Sequence, residues 1–170
     1  VIVFAWTDLI IHKPYKLLYP NFNNYYNVNI NETINKISNM DGRKFEYFCQ
    51  WLFKQTKQYK KIILTQTTGD EGKDLILQNY NKEKTYVECK HWNNSSSINR
   101  EIIQKLVGAM VSDNINKGVV ITTTHLSQTA WDYICKLEKN TNIKIDILDK
   151  NDIKNMLIQI DQHREIIQNM

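Results

Sequence analysis

Two prolines and five glycines in 170 residues are too few for a collagen-like repeat or a Pro/Gly-rich low-complexity chain. Cysteine is scarce as well, and three copies cannot all pair within one chain. None stands in a CxxC spacing and no histidines form HxxxH, which argues against a disulfide scaffold or a structural zinc site. The apolar runs fall short of the ~18 residues that a membrane-spanning helix needs. Neither sign of charge dominates: 22 Lys+Arg against 18 Asp+Glu leave a net charge of +4 and a pI near 8.8. That excess permits a polyanionic partner without requiring one. Apolar residues are plentiful, 42% of the chain, which at this length is enough for one globular domain with its own core.

The chain opens at Val1 rather than Met, as a fragment or processed product would. VIVFAWTDLII (Val1 to Ile11) carries Asp8 and lacks the charged start of a signal peptide. It reads as a strand or packing arm, with the tail of a membrane or linker segment as the alternative. Residues 13 to 38, rich in Asn and Tyr, read as a loop-rich connector with a short helix at Asn31 to Ile37. Residues 1–39 are therefore expected to form an arm, 40–158 the functional domain and 159–170 a helical extension.

From Met40 the pattern becomes regular. Asp41 is a plausible N-cap, and Phe45, Phe48, Cys49 and Leu52 recur on one helical face. KIILTQT (Lys61 to Thr67), DLILQN (Asp74 to Asn79) and TYVECKHW (Thr85 to Trp92) read as three strands of a meander, with TGDEGK as the first turn. Helices are expected at Ile98 to Asp113, Ser127 to Lys139 and Asp149 to Ile158, alternating with strands at Val119 to Thr124 and Ile143 to Leu148. The fold class is α/β, a sheet flanked by helices.

One constellation carries chemistry. Asp74 stands where the chain leaves the turn and enters a strand. Glu88 and Lys90 lie two apart on the next strand and so share a face. One hairpin separates Asp74 from Glu88, so the two can lie across from each other. Glu46, at the margin of the first helix's apolar face, can be aimed at the same point. Clustered carboxylates repel unless a cation joins them, and hard oxygen donors suit Mg²⁺ or Mn²⁺. Lys90 would then serve the attacking water and the charge developing on phosphorus.

GDEGKDLIL, TYVECKHW, IIQKLVGAM and VVITTTHLSQTA, in that order, resemble the catalytic domain of Mrr-type restriction endonucleases, of the PD-(D/E)xK nuclease superfamily. The resemblance covers roughly Met40 to Leu157. It implies a restriction-endonuclease-like fold with a central mixed sheet, and a metal-dependent endonuclease acting on DNA in restriction or defence. On this resemblance Asp74 and Glu88 are metal ligands, joined by the Cys89 main-chain carbonyl and supported by Glu46, and Lys90 is the catalytic lysine. Gln104 matches a polar position facing the substrate. His125, after the threonine run, lies near where the family's sheet opens to DNA. A cytoplasmic location follows, with tethering through a segment before Val1 left open. Two departures stand out: Lys73 replaces the apolar residue usual before the motif Asp, and residues 1–39 hold no winged-helix pattern, so recognition would need further domains in a larger parent.

Plainer readings exist for the other polar groups. Asp70 and Glu71 suit a solvated turn, and His91 and Trp92 suit loop packing as well as phosphate contact. His12 and His163 show no evident partner. Lys57, Lys60 and Lys61 make either a phosphate-binding stripe or a solvated face. Cys49 and Cys135 read as core thiols. The apolar positions Ile153 to Ile160, with Ile166 and Ile167, would suit a homodimer. Two other functions fit the same residues: a non-cleaving nucleic-acid-binding module and an RNA endonuclease.

Overall fold

The computed structural model describes residues 27–66, 72–92 and 96–168, with side chains described at 33–66, 72–92 and 96–160. The expected arm at Val1 to Ile11, the Asp70–Glu71 turn and His12 lie outside these ranges, as do the side chains of His163, Ile166 and Ile167.

Helix α1 (Asn27–Ser38) leads into α2 (Gly42–Gln55), whose N-cap Asp41 accepts a hydrogen bond from the Lys44 N–H. Strands β1 (Tyr59–Leu64), β2 (Leu75–Asn79) and β3 (Lys84–Lys90) form an antiparallel meander. Then come α3 (Arg100–Ser112), β4 (Lys117–Thr122), α4 (Gln128–Asn140), β5 (Lys144–Leu148) and α5 (Lys150–Gln168). The sheet order is β1-β2-β3-β4-β5, with β3, β4 and β5 parallel. The expected mixed sheet flanked by helices is therefore the fold.

Period-2 alternation divides the core. Leu75, Leu77, Val87 and Ile121 bury toward α1, α2 and α5. Tyr86 and Val120, one residue out of phase, bury toward α3 and α4. The α3 layer sits close because residue 118 is glycine. A Cβ there would come within 2.7 Å of Met110 Sδ and 2.8 Å of Ile145 Cδ1.

Several sequence expectations are corrected. Helix α1 starts at Asn27, ahead of the expected Asn31. Strand β1 begins at Tyr59 and ends at Leu64, so Thr65 is already outside it. Ile98 is not helical: it forms an isolated parallel bridge with Leu126, and Asn99 caps α3 through the Ile102 N–H. Helix α5 runs unbroken from Lys150 to Gln168, past the expected end of the terminal helix at Ile158. Ile153 and Leu157 are buried in the α1/α2/α5 layer and Ile160 packs on it. That use takes them from a dimer face. Cys135 is exposed, because it follows buried Ile134 on α4 and turns off the apolar stripe, whereas Cys49 is buried.

Candidate active site

The two hairpin strands part at the start of β2. Leu75 pairs with Val87, which sets Asp74, one residue earlier, opposite Glu88. The Asp74 N–H donates to the Val87 carbonyl at 2.7 Å. One step on, the Asp74 carboxylate replaces a main-chain acceptor: its Oδ2 accepts from the Cys89 N–H at 2.7 Å. Thr65, just past β1, ties the same segment from the other side. Its N–H donates to the Asp74 carbonyl at 2.9 Å, and its hydroxyl lies 2.8 Å from the Lys73 carbonyl. Asp74 is thus clamped between two strands, with its carboxyl pinned to the main chain of β3.

Glu88 is inward on β3, its side chain only 3% exposed. Its Oε1 accepts from Lys90 Nζ at 2.6 Å, while its buried Oε2 has no hydrogen-bond partner among the described residues. An unmatched buried carboxylate oxygen is costly and calls for an explanation. Lys90 is 29% exposed, so its ammonium spans from the buried carboxylate to solvent. The Asp74 carboxyl is pushed from its ordinary 3.8 up to about 7, first by burial and then by the Glu88 charge. The Cys89 N–H and Lys90 oppose the rise, and Glu46 adds to it.

Glu46 projects from α2 and is held by Arg43, one helical turn back, at 2.6 Å. Arg43 also donates to the Thr65 carbonyl at 3.3 Å, so α2 is tied to the segment that faces Asp74. Arg43 was legible only as an i, i+3 partner of Glu46. Gln104 is on the exposed face of α3. His125 is exposed in the loop after β4, where its carbonyl accepts from the Ile98 N–H at 2.9 Å. His91 serves packing: its Nε2 lies 2.8 Å from the Ile37 carbonyl, and its ring meets Phe45. Trp92 packs with the α3/α4 layer. The Cys89 thiol is buried in the opposite layer, where burial and the Cys49 thiol hold its pKa well up, so it is no thiolate nucleophile.

Among the described residues no three His, Cys, Asp or Glu side chains form a ready metal cage. The side-chain donors here are the carboxylates of Asp74 and Glu88. Mg²⁺ commonly takes one or two carboxylates and completes its shell with water and phosphate oxygens. The chemistry of this pair fits such an ion. A cation would partner the orphaned Glu88 Oε2 and offset the burial and the Glu88 charge that raise the Asp74 pKa.

Three groups beside this site carry no local signal of their meeting in the sequence. Lys73 is buried, and its Nζ lies 3.3 Å from Asp113 Oδ2 and 4.9 Å from the centre of the Tyr86 ring. The Tyr86 hydroxyl donates to the same Asp113 oxygen. Only the oddness of a lysine before the motif Asp pointed to them.

The Mrr_cat family model, described as a restriction endonuclease, matches residues 37–157. The type IV methyl-directed restriction enzyme EcoKMrr of Escherichia coli (strain K12) is 34% identical over 73 residues, 42% of this chain and 23% of that protein. The chain thus aligns to only about a fifth of the length of the curated relatives it matches. The DNA modification-dependent restriction endonuclease AspBHI superposes with a TM-score of 0.57 at 16% identity, over 82% of this chain and 39% of that one. The MspJI restriction endonuclease, solved with a 27-mer oligonucleotide, gives 0.57 at 20% identity, over 75% and 30%. At these identities the two structures share a fold with this chain.

Proposed function

This chain belongs to the Mrr-type restriction endonuclease family, and from that premise we propose that it hydrolyses DNA phosphodiester bonds with a divalent cation, Mg²⁺ with Mn²⁺ able to replace it. The observation that carries this reading is the orphaned, buried oxygen of Glu88 beside a crowded Asp74. Structural ion pairs are normally satisfied, whereas this one leaves a buried carboxylate oxygen unpartnered beside a lysine that reaches solvent.

Asp74 and Glu88 would hold the cation, with the Cys89 carbonyl as a third oxygen. Bound there, the cation supplies positive charge to the phosphoryl oxygens and to the attacking water. Lys90, fixed by Glu88, orients that water in line with the phosphorus and stabilises the charge that develops. Its ammonium is pre-set, so little reorganisation is needed at the moment of attack. Glu46 supports from α2, adding negative potential that strengthens cation binding at Asp74. Gln104 and His125, both exposed, are the side chains proposed to touch DNA. Residues 40–158 form the catalytic unit. Sequence choice belongs to further domains of a longer protein, and a second copy would let both strands be cut. A restriction role places the work in the cytoplasm. Among the described residues, no helix is long and apolar enough to cross a membrane.

Supercoiled plasmid incubated with the chain tests this directly. Nicked or linear product is expected with Mg²⁺ and none with EDTA or with Asp74→Asn. Plasmid left intact in both Mg²⁺ and Mn²⁺ would make the chain a binding module, and preferential loss of an RNA competitor would make it a ribonuclease.

A further inference from the structure

Lys73 is an expensive residue where it stands. Its side chain is 11% exposed, and taking an ammonium out of water is costly unless it is well paired. An apolar side chain of similar length would fill the same space at no such cost. The charge therefore answers to something other than filling volume.

The contacts say what it answers to. Gly72 turns at φ +89° against α3, where a Cβ would come within 2.6 Å of Lys105 Cγ and 3.1 Å of the Lys105 carbonyl oxygen. Lys73 follows with its main chain held by Thr65 at β1. Its side chain runs to Asp113, the C-cap of α3. Asp113 in turn accepts from Tyr86, two residues before Glu88 on the same face of β3. A closed circuit results, running from the residue before Asp74, through the end of α3, to the strand that carries Glu88.

The geometry points to Lys73 as a positioning residue. Through Asp113 and Tyr86 it holds Asp74 opposite Glu88 at the spacing a divalent cation needs, before the cation arrives. This rests on the reading of Asp74 and Glu88 as cation ligands. It goes beyond that reading by giving this chain's own lysine the task of setting their separation. Outer partners that orient metal ligands commonly control affinity by about 10–100-fold.

The test is Mn²⁺ binding to the whole chain by titration calorimetry, with thermal unfolding of each variant followed in metal-free buffer. The parent is expected to take up Mn²⁺, and Asp74→Asn to lose uptake. Lys73→Met is expected to bind roughly tenfold more weakly while its Tm stays close to the parent's, since a buried charge is removed and water can serve the carboxylate left behind, Asp113 being 40% exposed. Lys73→Arg, able to reach Asp113 again, should recover part of the affinity. Asp113→Asn, at a half-exposed site, keeps the shape and loses the ion pair, and should weaken Mn²⁺ in the same direction; it carries the test if Lys73→Met fails to fold. A parent without Mn²⁺ uptake overturns the cation reading itself. Uptake that Asp74→Asn abolishes and neither Lys73→Met nor Asp113→Asn alters overturns only the positioning role.

Discussion

Two lysine–carboxylate pairs flank the hairpin of β2 and β3, and they are built on opposite plans. Lys73–Asp113 is closed: the carboxylate takes the ammonium and the Tyr86 hydroxyl, and it is 40% exposed, so water can serve what remains. Lys90–Glu88 is open: the carboxylate is almost wholly buried, one oxygen is paired at 2.6 Å and the other has no hydrogen-bond partner among the described residues. Burial alone does not separate structure from chemistry, because both lysines are largely covered. Satisfaction does. A pair whose demands are all met holds a shape, and a pair left short by one cation's worth of charge waits for a ligand.

The strongest blow to this contrast falls on Lys90. Lys90→Ala should lower plasmid cleavage by about 10³-fold or more, because the ammonium acts where charge develops. Circular dichroism should show the fold kept, since Lys90 is the last residue of β3, is 29% exposed and belongs to neither apolar layer. Lys73→Met should retain far more activity at saturating Mg²⁺. Equal losses at the two lysines would erase the distinction between an open and a closed pair.

Much of this arrangement was legible in the chain because it is local. The Asp41 cap, the stripe of Phe45, Cys49 and Leu52, and the Glu88–Lys90 spacing all depend on residues within a turn or a strand of one another. Asp74 opposite Glu88 needed only a short hairpin. What stayed hidden depends on distance along the chain. Lys73 meets a partner 40 positions away, and no periodicity reports such a meeting. Ile98 fits the i, i+4 pattern of α3 yet is buried as a bridge to Leu126, because a second loop arrives to pair with it. The end of α2 is equally silent, closed by Lys57 at φ 55° where a glycine would have announced it.

Stability against pH offers a second way to sharpen the comparison. The Asp74 carboxyl is raised to about 7 from 3.8, so the folded chain holds a proton that the unfolded chain has released between those values. Stability is therefore lost as pH rises from about 4 to about 7, by an amount on the order of 4 kcal/mol once both states are ionised. Asp74→Asn removes that penalty and keeps an oxygen for the Cys89 N–H. Urea unfolding should find it more stable than the parent by about 2–4 kcal/mol at pH 8 and no more stable at pH 4. Saturating Mn²⁺ at pH 8 should raise the parent's stability and leave the variant's unchanged. A variant less stable than the parent at pH 8 would mean that Asp74 is not crowded at all.

The closed pair should answer acid with the opposite sign, and more weakly. Tyr86 and Lys73 lower the Asp113 pKa through their hydrogen bonds. A carboxyl depressed in the folded state contributes stability above its unfolded value of 3.8, and that contribution disappears as pH falls through the folded value. Tyr86→Phe removes one of the two donors while the ring remains in the α3/α4 layer. Its Tm should fall by roughly 2–4 °C near pH 7, and the gap should close in acid as Asp113 takes its proton. Mn²⁺ affinity should drop less than in Lys73→Met, because Lys73 still reaches Asp113 and still lies over the aromatic ring that remains on β3. A gap that widened in acid would place the Tyr86 hydroxyl on a partner other than a carboxylate, and the closed pair would lose the member that closes it.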